Sequence, residues 1–141
     1  MTWYPDGGRA IGRIARWPVE RRPVAGADWA RYLEESTSNA RMRESFRQAY
    51  RDMPRAEAMP VAEGIVMDDE GNVWLRDFRG PLDTTSSLTV LSADGRPLGR
   101  VMVPFRFRPH HIGADFVLGV WQDEDDIPHV QLDELIKEGR S

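Results

Sequence analysis

The fold turns on one stretch: Gly64-Ile65-Val66-Met67-Asp68-Asp69-Glu70-Gly71-Asn72-Val73-Trp74-Leu75-Arg76-Asp77-Phe78. Two short apolar runs flank a cluster of Asp, Gly and Asn. Asp and Asn bond back to nearby backbone, and Gly takes the left-handed conformation without steric cost. The cluster therefore reads as a tight turn between antiparallel strands. The returning run does not alternate cleanly. Trp74 and Phe78 fall on one face, Val73 and Leu75 on the other. Strands apolar on both faces belong to sheets covered on both sides.

Working outward, Ser87-Leu88-Thr89-Val90-Leu91 is a third strand, and Ala93-Asp94-Gly95 turns it into a fourth. Strands over 64–67, 72–78, 87–91 and 97–103 put four antiparallel strands into about forty residues, the period of one β-propeller blade. A second unit follows at once over 111–121, where His111-Ile112-Gly113 leads into Phe116 to Trp121, and over 127–134 beyond the acidic turn Asp123-Glu124-Asp125-Asp126, and after this third strand the expected fourth is missing. Upstream, Pro5-Asp6-Gly7-Gly8-Arg9-Ala10-Ile11-Gly12-Arg13-Ile14 repeats the pattern of Ser92 to Val101, which places a strand near 10–16. Gly12 and Gly99 sit at strand spacing, where a missing side chain admits a close neighbour; they do not form a phosphate cradle.

Between the repeats the grammar changes. Trp29, Tyr32, Leu33, Met42, Phe46, Tyr50 and Met53 recur at threes and fours, the spacing of amphipathic helices near 27–35 and 39–52, closed by Pro54. Ser36-Thr37-Ser38-Asn39 supplies the cap between them. The aromatic stripe is expected to pack on the sheet, with a partner-binding surface as the alternative. The expected architecture is mainly β, a partial β-propeller of about two antiparallel blades with a helical insert. It is one domain, with a partial blade hairpin in 1–18, the insert in 27–53 and two consecutive blades, the second incomplete, in 61–136. Val66, Trp74, Leu75, Val90, Val101, Phe116, Leu118 and Val130 are its expected core.

The segment Gly64 to Arg76, with its Asp-x-x-Gly-Asn turn and aromatic-bearing second strand, resembles the blade signature of bacterial six-bladed β-propellers related to NHL-repeat proteins. Arg108 to Leu135, with Ile112-Gly113-Ala114-Asp115-Phe116-Val117-Leu118-Gly119-Val120, is similar to the terminal blade of that group. The resemblance covers 2–16 and 61–136 and leaves the helical insert unmatched. It implies a fold and says little of function. It also implies that the chain is the C-terminal part of a longer protein, or one that associates to cover its sheet edges. The incomplete second blade should leave 127–135 without an outer neighbour, for which the hairpin in 2–16 is the candidate donor, within the chain or between copies.

Composition excludes little. The 141 residues include five Trp and no Cys, so disulfide and thiolate chemistry are absent. Net charge is −4, yet 1–59 carry +3 and 60–141 carry −7 by count of Lys, Arg, Asp and Glu. The Arg residues of the first half alternate with acids, so no concentrated basic patch speaks for nucleic acid. No apolar run is long enough to span a membrane, and Met1 to Asp6 show no leader pattern. The resembled family includes exported proteins, which implies a periplasmic or extracellular setting for a fragment of one.

Candidate chemistry is sparse. Histidine is a common metal ligand, and Pro109-His110-His111 with His129 and Asp115 would be the metal set of a lyase or hydrolase. Adjacent His110 and His111 point to opposite strand faces, so only one of them joins His129, and a structural or surface role is the plainer reading. The Asp123 to Asp126 run offers oxygen ligands for Ca²⁺ but lacks spaced ligands and Gly, as a solvated hairpin tip would. Asp68-Asp69-Glu70 reads as turn chemistry. Ser86 and Ser87 lie in no nucleophile motif, and neither a phosphate loop nor a dinucleotide fingerprint occurs. No catalytic or metal residue and no cofactor is assigned. The leading expectation is a binding or scaffolding module for a protein or small-molecule ligand, the alternative a metal-assisted lyase or hydrolase on the blade loops.

Overall fold

The computed structural model describes residues 2–3, 13–14, 16 and 19–136. Among the described residues nine strands and two helices follow in order: β1 (Thr2–Trp3), β2 (Arg13–Ile14), α1 (Gly26–Glu35), α2 (Ala40–Ala49), β3 (Ala62–Met67), β4 (Val73–Asp77), β5 (Ser86–Leu91), β6 (Pro97–Val103), β7 (Phe107–Ile112), β8 (Phe116–Gln122) and β9 (Pro128–Glu134). The chain is mainly β. Its two principal sheets are antiparallel meanders, β3-β4-β5-β6 and β7-β8-β9, and β1 pairs with β2 in a small separate sheet. No described helix is long and apolar enough to cross a membrane.

Three hairpins use one turn recipe. In each, the first residue's N–H donates to the carbonyl four residues on, and the fourth residue's N–H donates back: Asp68/Asn72 with Gly71, Ser92/Arg96 with Gly95, and Asp123/Ile127 with Asp126. The fourth residue is left-handed each time, with φ of 81° at Gly71, 85° at Gly95 and 61° at Asp126. Gly and Asp tolerate that region best. The first residue's side-chain oxygen closes the loop, accepting from the amides of Glu70 and Asn72 at Asp68, of Arg96 at Ser92, and of Asp125 and Ile127 at Asp123.

The two sheets meet face to face. Trp74, Leu88 and Val90 of the first pack with Phe107, Ile112 and Val117 of the second, and Val66, Val101, Val103 and Trp121 close the margins. Gly119 is needed here, because a Cβ on it would overlap the Phe107 ring and the Arg108 carbonyl. β3 and β7 run side by side where Asp68 and Ile112 form a parallel bridge, and the Asp69 amide donates to the Ile112 carbonyl. On the far face of the first sheet Val73, Leu75 and Leu91 are also buried. β4 is thus apolar on both faces, as its broken alternation predicts.

Several expectations need correction. The strand expected over 111–121 is two, β7 and β8, because Gly113 to Asp115 turn the chain; a Cβ on Gly113 would strike Phe116. β7 starts earlier than expected, at Phe107, and the second unit is the three-stranded sheet expected, with β9 at its edge. Within the chain the N-terminal strands do not complete it, since β1 and β2 pair with each other. The repeat over 5–14 falls, apart from Arg13 and Ile14, outside the described residues. Val130 is not core but 79% exposed, because it faces outward on the edge strand with Leu132. Phe116 and Leu118 share that outer face and are half-buried, as Val66 and Val101 are at the core margin. The helical stripe closes on itself: Trp29 stacks on Tyr32 and meets Tyr50 edge-on, Phe46 meets Tyr50, and Arg55 lies over Trp29. Asn39 caps α2 by accepting from the Arg41 and Met42 amides.

Trp74 fills the core and donates its indole N–H to the buried Asp68 carboxylate at 3.0 Å. Trp74→Ala should cost about 3–5 kcal/mol by urea denaturation, as for large core truncations. Trp74→Phe keeps most of the volume but removes one charge-assisted hydrogen bond to the buried Asp68 carboxylate, and should cost about 1–3 kcal/mol. A Trp74→Phe cost near zero would show that the hydrogen bond adds nothing.

Candidate functional site

On the far face of the first sheet, three strands bring polar side chains together in register. Asp77 ends β4, Ser87 and Thr89 lie on β5, and Arg100, directly opposite Thr89, lies on β6. Ser87 Oγ donates to Asp77 Oδ2 and Thr89 Oγ1 to Asp77 Oδ1, each at 2.7 Å. Arg100 Nε donates to Asp77 Oδ2 at 2.7 Å and to Ser87 Oγ at 3.0 Å. A carboxylate accepting from two hydroxyls and a guanidinium is held rigidly by charge-assisted bonds. These residues floor an open cleft of about 520 Å³, within the range of small-molecule sites.

The cleft wall is a second ionic clasp. Arg22 clamps Asp83 through Nη1 at 2.7 Å and Nη2 at 2.9 Å, while its Nε and Nη2 reach Met59 Sδ at 3.0 and 2.8 Å. Asp83 also accepts from the Gly80 amide at 2.7 Å, which fixes the β4–β5 loop. The Arg22 hydrogen bonds hold the Asp83 carboxyl below its ordinary 3.8, against the opposing effect of burial. Val19, Pro60, Val61, Leu75 and Phe78 give the cleft an apolar lining. At the rim the Arg79 guanidinium lies 4.4 Å over the Phe105 ring.

A smaller cleft of about 200 Å³ adjoins the first, sharing Asp77, Arg79 and Ser86. It adds Arg76, Arg106 and Arg108. Arg106, left-handed at φ 66°, is tied to the β8–β9 turn by bonds to the Asp123 carbonyl and to Asp126. Arg76 Nε lies 2.9 Å from Glu63, yet its buried N–H is not aimed at any acceptor. That ion pair is one of proximity alone.

The histidines lie elsewhere. His111 Nε2 stands 3.2 Å from Asp69 and stacks on Phe116, bracing the β3–β4 turn against the second sheet. His129 Nε2 pairs with Asp123 at 2.8 Å beside Trp121. In the register His111 faces Leu118 and His129 faces Trp121, three residues apart, so the two rings lie on opposite faces of their sheet. His110 is exposed at a bulge in β7, and Asp115 sits in the β7–β8 turn. These four residues do not converge. Among the described residues no group of three His, Asp or Glu could hold a metal ion. Asp123 is occupied as a turn clamp, and its carboxyl is held low by His129 and then by the Ile127 amide. Ser86 and Ser87 line the cleft, but Ser87 is bonded to Asp77 and Arg100 and to no histidine.

Sequence reasoning missed Asp77, Thr89, Arg100, Arg22 and Asp83. The signal was present for the first three. Asp77 continues the face of Val73 and Leu75, and Ser87 and Thr89 that of Leu91, so polar residues occupy inward-facing positions. Chemically the floor holds and orients: Asp77 takes three hydrogen bonds, from Ser87, Thr89 and Arg100. No family model, curated protein or solved structure matches the chain.

Because the folded Asp83 carboxyl is depressed, its clasp with Arg22 should be fully formed above the ordinary carboxylate range. It should open only as pH falls through the lower folded value, below 3.8. An NMR titration following the Asp83 carboxyl carbon and the Gly80 amide together should show one shared midpoint there. Asp83→Asn should abolish that step in the amide.

Proposed function

We propose that this chain is a binding module of the β-propeller type, in which two neighbouring blades carry the cleft over β4, β5 and β6 as a ligand site. The observation that carries the reading is the junction of the sheets. The first strands of the two meanders, β3 and β7, lie parallel and adjacent, and the later strands follow outward in chain order. Radially repeated meanders around an axis have this relation. Faces support it further. Val130 is 79% and Leu132 65% exposed on the outer face of the second sheet, above half-buried Leu118 and Val120, an apolar surface of the kind that a further blade covers. The cleft adds a polar floor whose hydrogen bonds are made, beside apolar walls, which suits recognition without covalent chemistry. Binding or scaffolding is therefore favoured over metal-assisted catalysis, for which the histidine arrangement offers no support.

Two measurements test the reading. Light scattering of the isolated chain should show self-association, and the double variant Val130→Lys, Leu132→Lys should reduce it; a heat-stable monomer overturns the partial-propeller reading. A fragment screen followed by amide NMR should find saturable shifts confined to 75–78, 86–89 and 100. A screen that leaves those amides unmoved overturns the cleft as a ligand site.

A further inference from the structure

We infer that the cleft selects organic anions, molecules that join an apolar body to a carboxylate or phosphate-monoester head, and that Arg100 and Arg79 read the head. The inference rests on the cleft being a ligand site, as proposed above. Its ground is the way Arg100 is held. Asp77 and Ser87 take only Nε, from the inner edge of the guanidinium, at 2.7 and 3.0 Å. The two terminal nitrogens have no partner among the described residues, and the side chain is 65% exposed. An arginine anchored through Nε presents its outer pair of donors as a fixed fork, which matches two oxygens of one anion.

The surrounding charges point the same way. Of the three carboxylates lining the cleft, Asp77 accepts from Ser87, Thr89 and Arg100 and Asp83 has both oxygens on Arg22, so both are neutralised, while Glu20 lines the cleft together with Arg21. Arg79, also in the cleft lining, forms no ion pair among the described residues, and its guanidinium lies over the Phe105 ring, a contact that leaves its N–H donors unused. Two cations with donors to spare thus share a cavity with Leu75, Phe78 and Met59, surfaces that hydrate poorly and would take a ring or short chain. Neither part alone specifies the class. An inorganic anion leaves the apolar wall wet, and a neutral apolar molecule leaves the fork unused.

Four probes separate these terms by NMR titration of the full chain: benzoate, phenyl phosphate, benzyl alcohol and inorganic phosphate. Benzoate or phenyl phosphate should shift the amides of 86–89 and 100 saturably, at least about tenfold more tightly than benzyl alcohol, the margin expected of a hydrogen bond to a charged group. The tighter of the two identifies the head, and inorganic phosphate should bind more weakly than its phenyl ester. Arg100→Gln and Arg79→Gln should each lower anion affinity about tenfold while leaving benzyl alcohol unchanged. Arg79→Gln touches no buried group and keeps the test meaningful if Arg100→Gln unfolds the sheet. Benzyl alcohol binding as tightly as the anions, or anion affinity unmoved by Arg79→Gln, overturns the inference and leaves the cleft a ligand site of another class. Silence from all four probes, with hits in the fragment screen, overturns it likewise. Silence in both overturns the ligand site itself.

Discussion

A buried carboxylate governs how this chain folds. Asp68 is 5% exposed, an expensive place for a negative charge unless every lone pair is met. It is met by the Glu70 and Asn72 amides, the Asn72 side chain and the Trp74 indole. One residue thereby sets the hairpin turn, fixes the rotamer of the largest core side chain and, through the neighbouring Asp69, meets the second sheet at His111 and Ile112. His129 stands to Asp123 as Trp74 stands to Asp68, six residues on and bonded to the turn carboxylate, but at the surface, where the same recipe carries no core.

The cleft follows from the far face of that first sheet. The strands bury Val73, Leu75 and Leu91 toward one end and change to Asp77, Ser87 and Thr89 toward the other. Polar groups in inward-facing positions cost stability unless they satisfy one another. Here the hydroxyls spend their protons on Asp77, and the one guanidinium among them keeps its far edge free. The sheet supplies rigidity, because each partner comes from a different, directly hydrogen-bonded strand.

Much of the fold was legible in the sequence, for reasons that can be named. The turns at Asp68 and Asp94-Gly95 announce themselves because left-handed backbone restricts residue choice. The double-sided apolar pattern of β4 forecast cover on both faces. The expected strand over 111–121 failed because the Gly and Asp of Gly113-Ala114-Asp115 were read as part of a run rather than as a turn, and the start of β7 was masked by Arg and Pro among its residues. Val130 was misassigned because alternation gives a face but not which face is covered. The helical stripe was seen correctly as apolar, but periodicity cannot say whether two helices turn that stripe toward a sheet or toward each other. The cleft stayed hidden for a related reason: Asp77, Ser87 and Arg100 are spread over 23 residues and meet only through strand register.

The meander connectivity has a kinetic consequence. Every strand in the two principal sheets pairs with its sequence neighbour, so each sheet closes only short loops as it forms. The contacts that join the sheets are of another order, with His111 and Asp69 separated by 42 residues. Low sequence separation favours closure within each sheet, and docking one meander on the other carries the larger loop-closure cost. Until it occurs, Phe107, Ile112 and Val117 present an uncovered apolar surface.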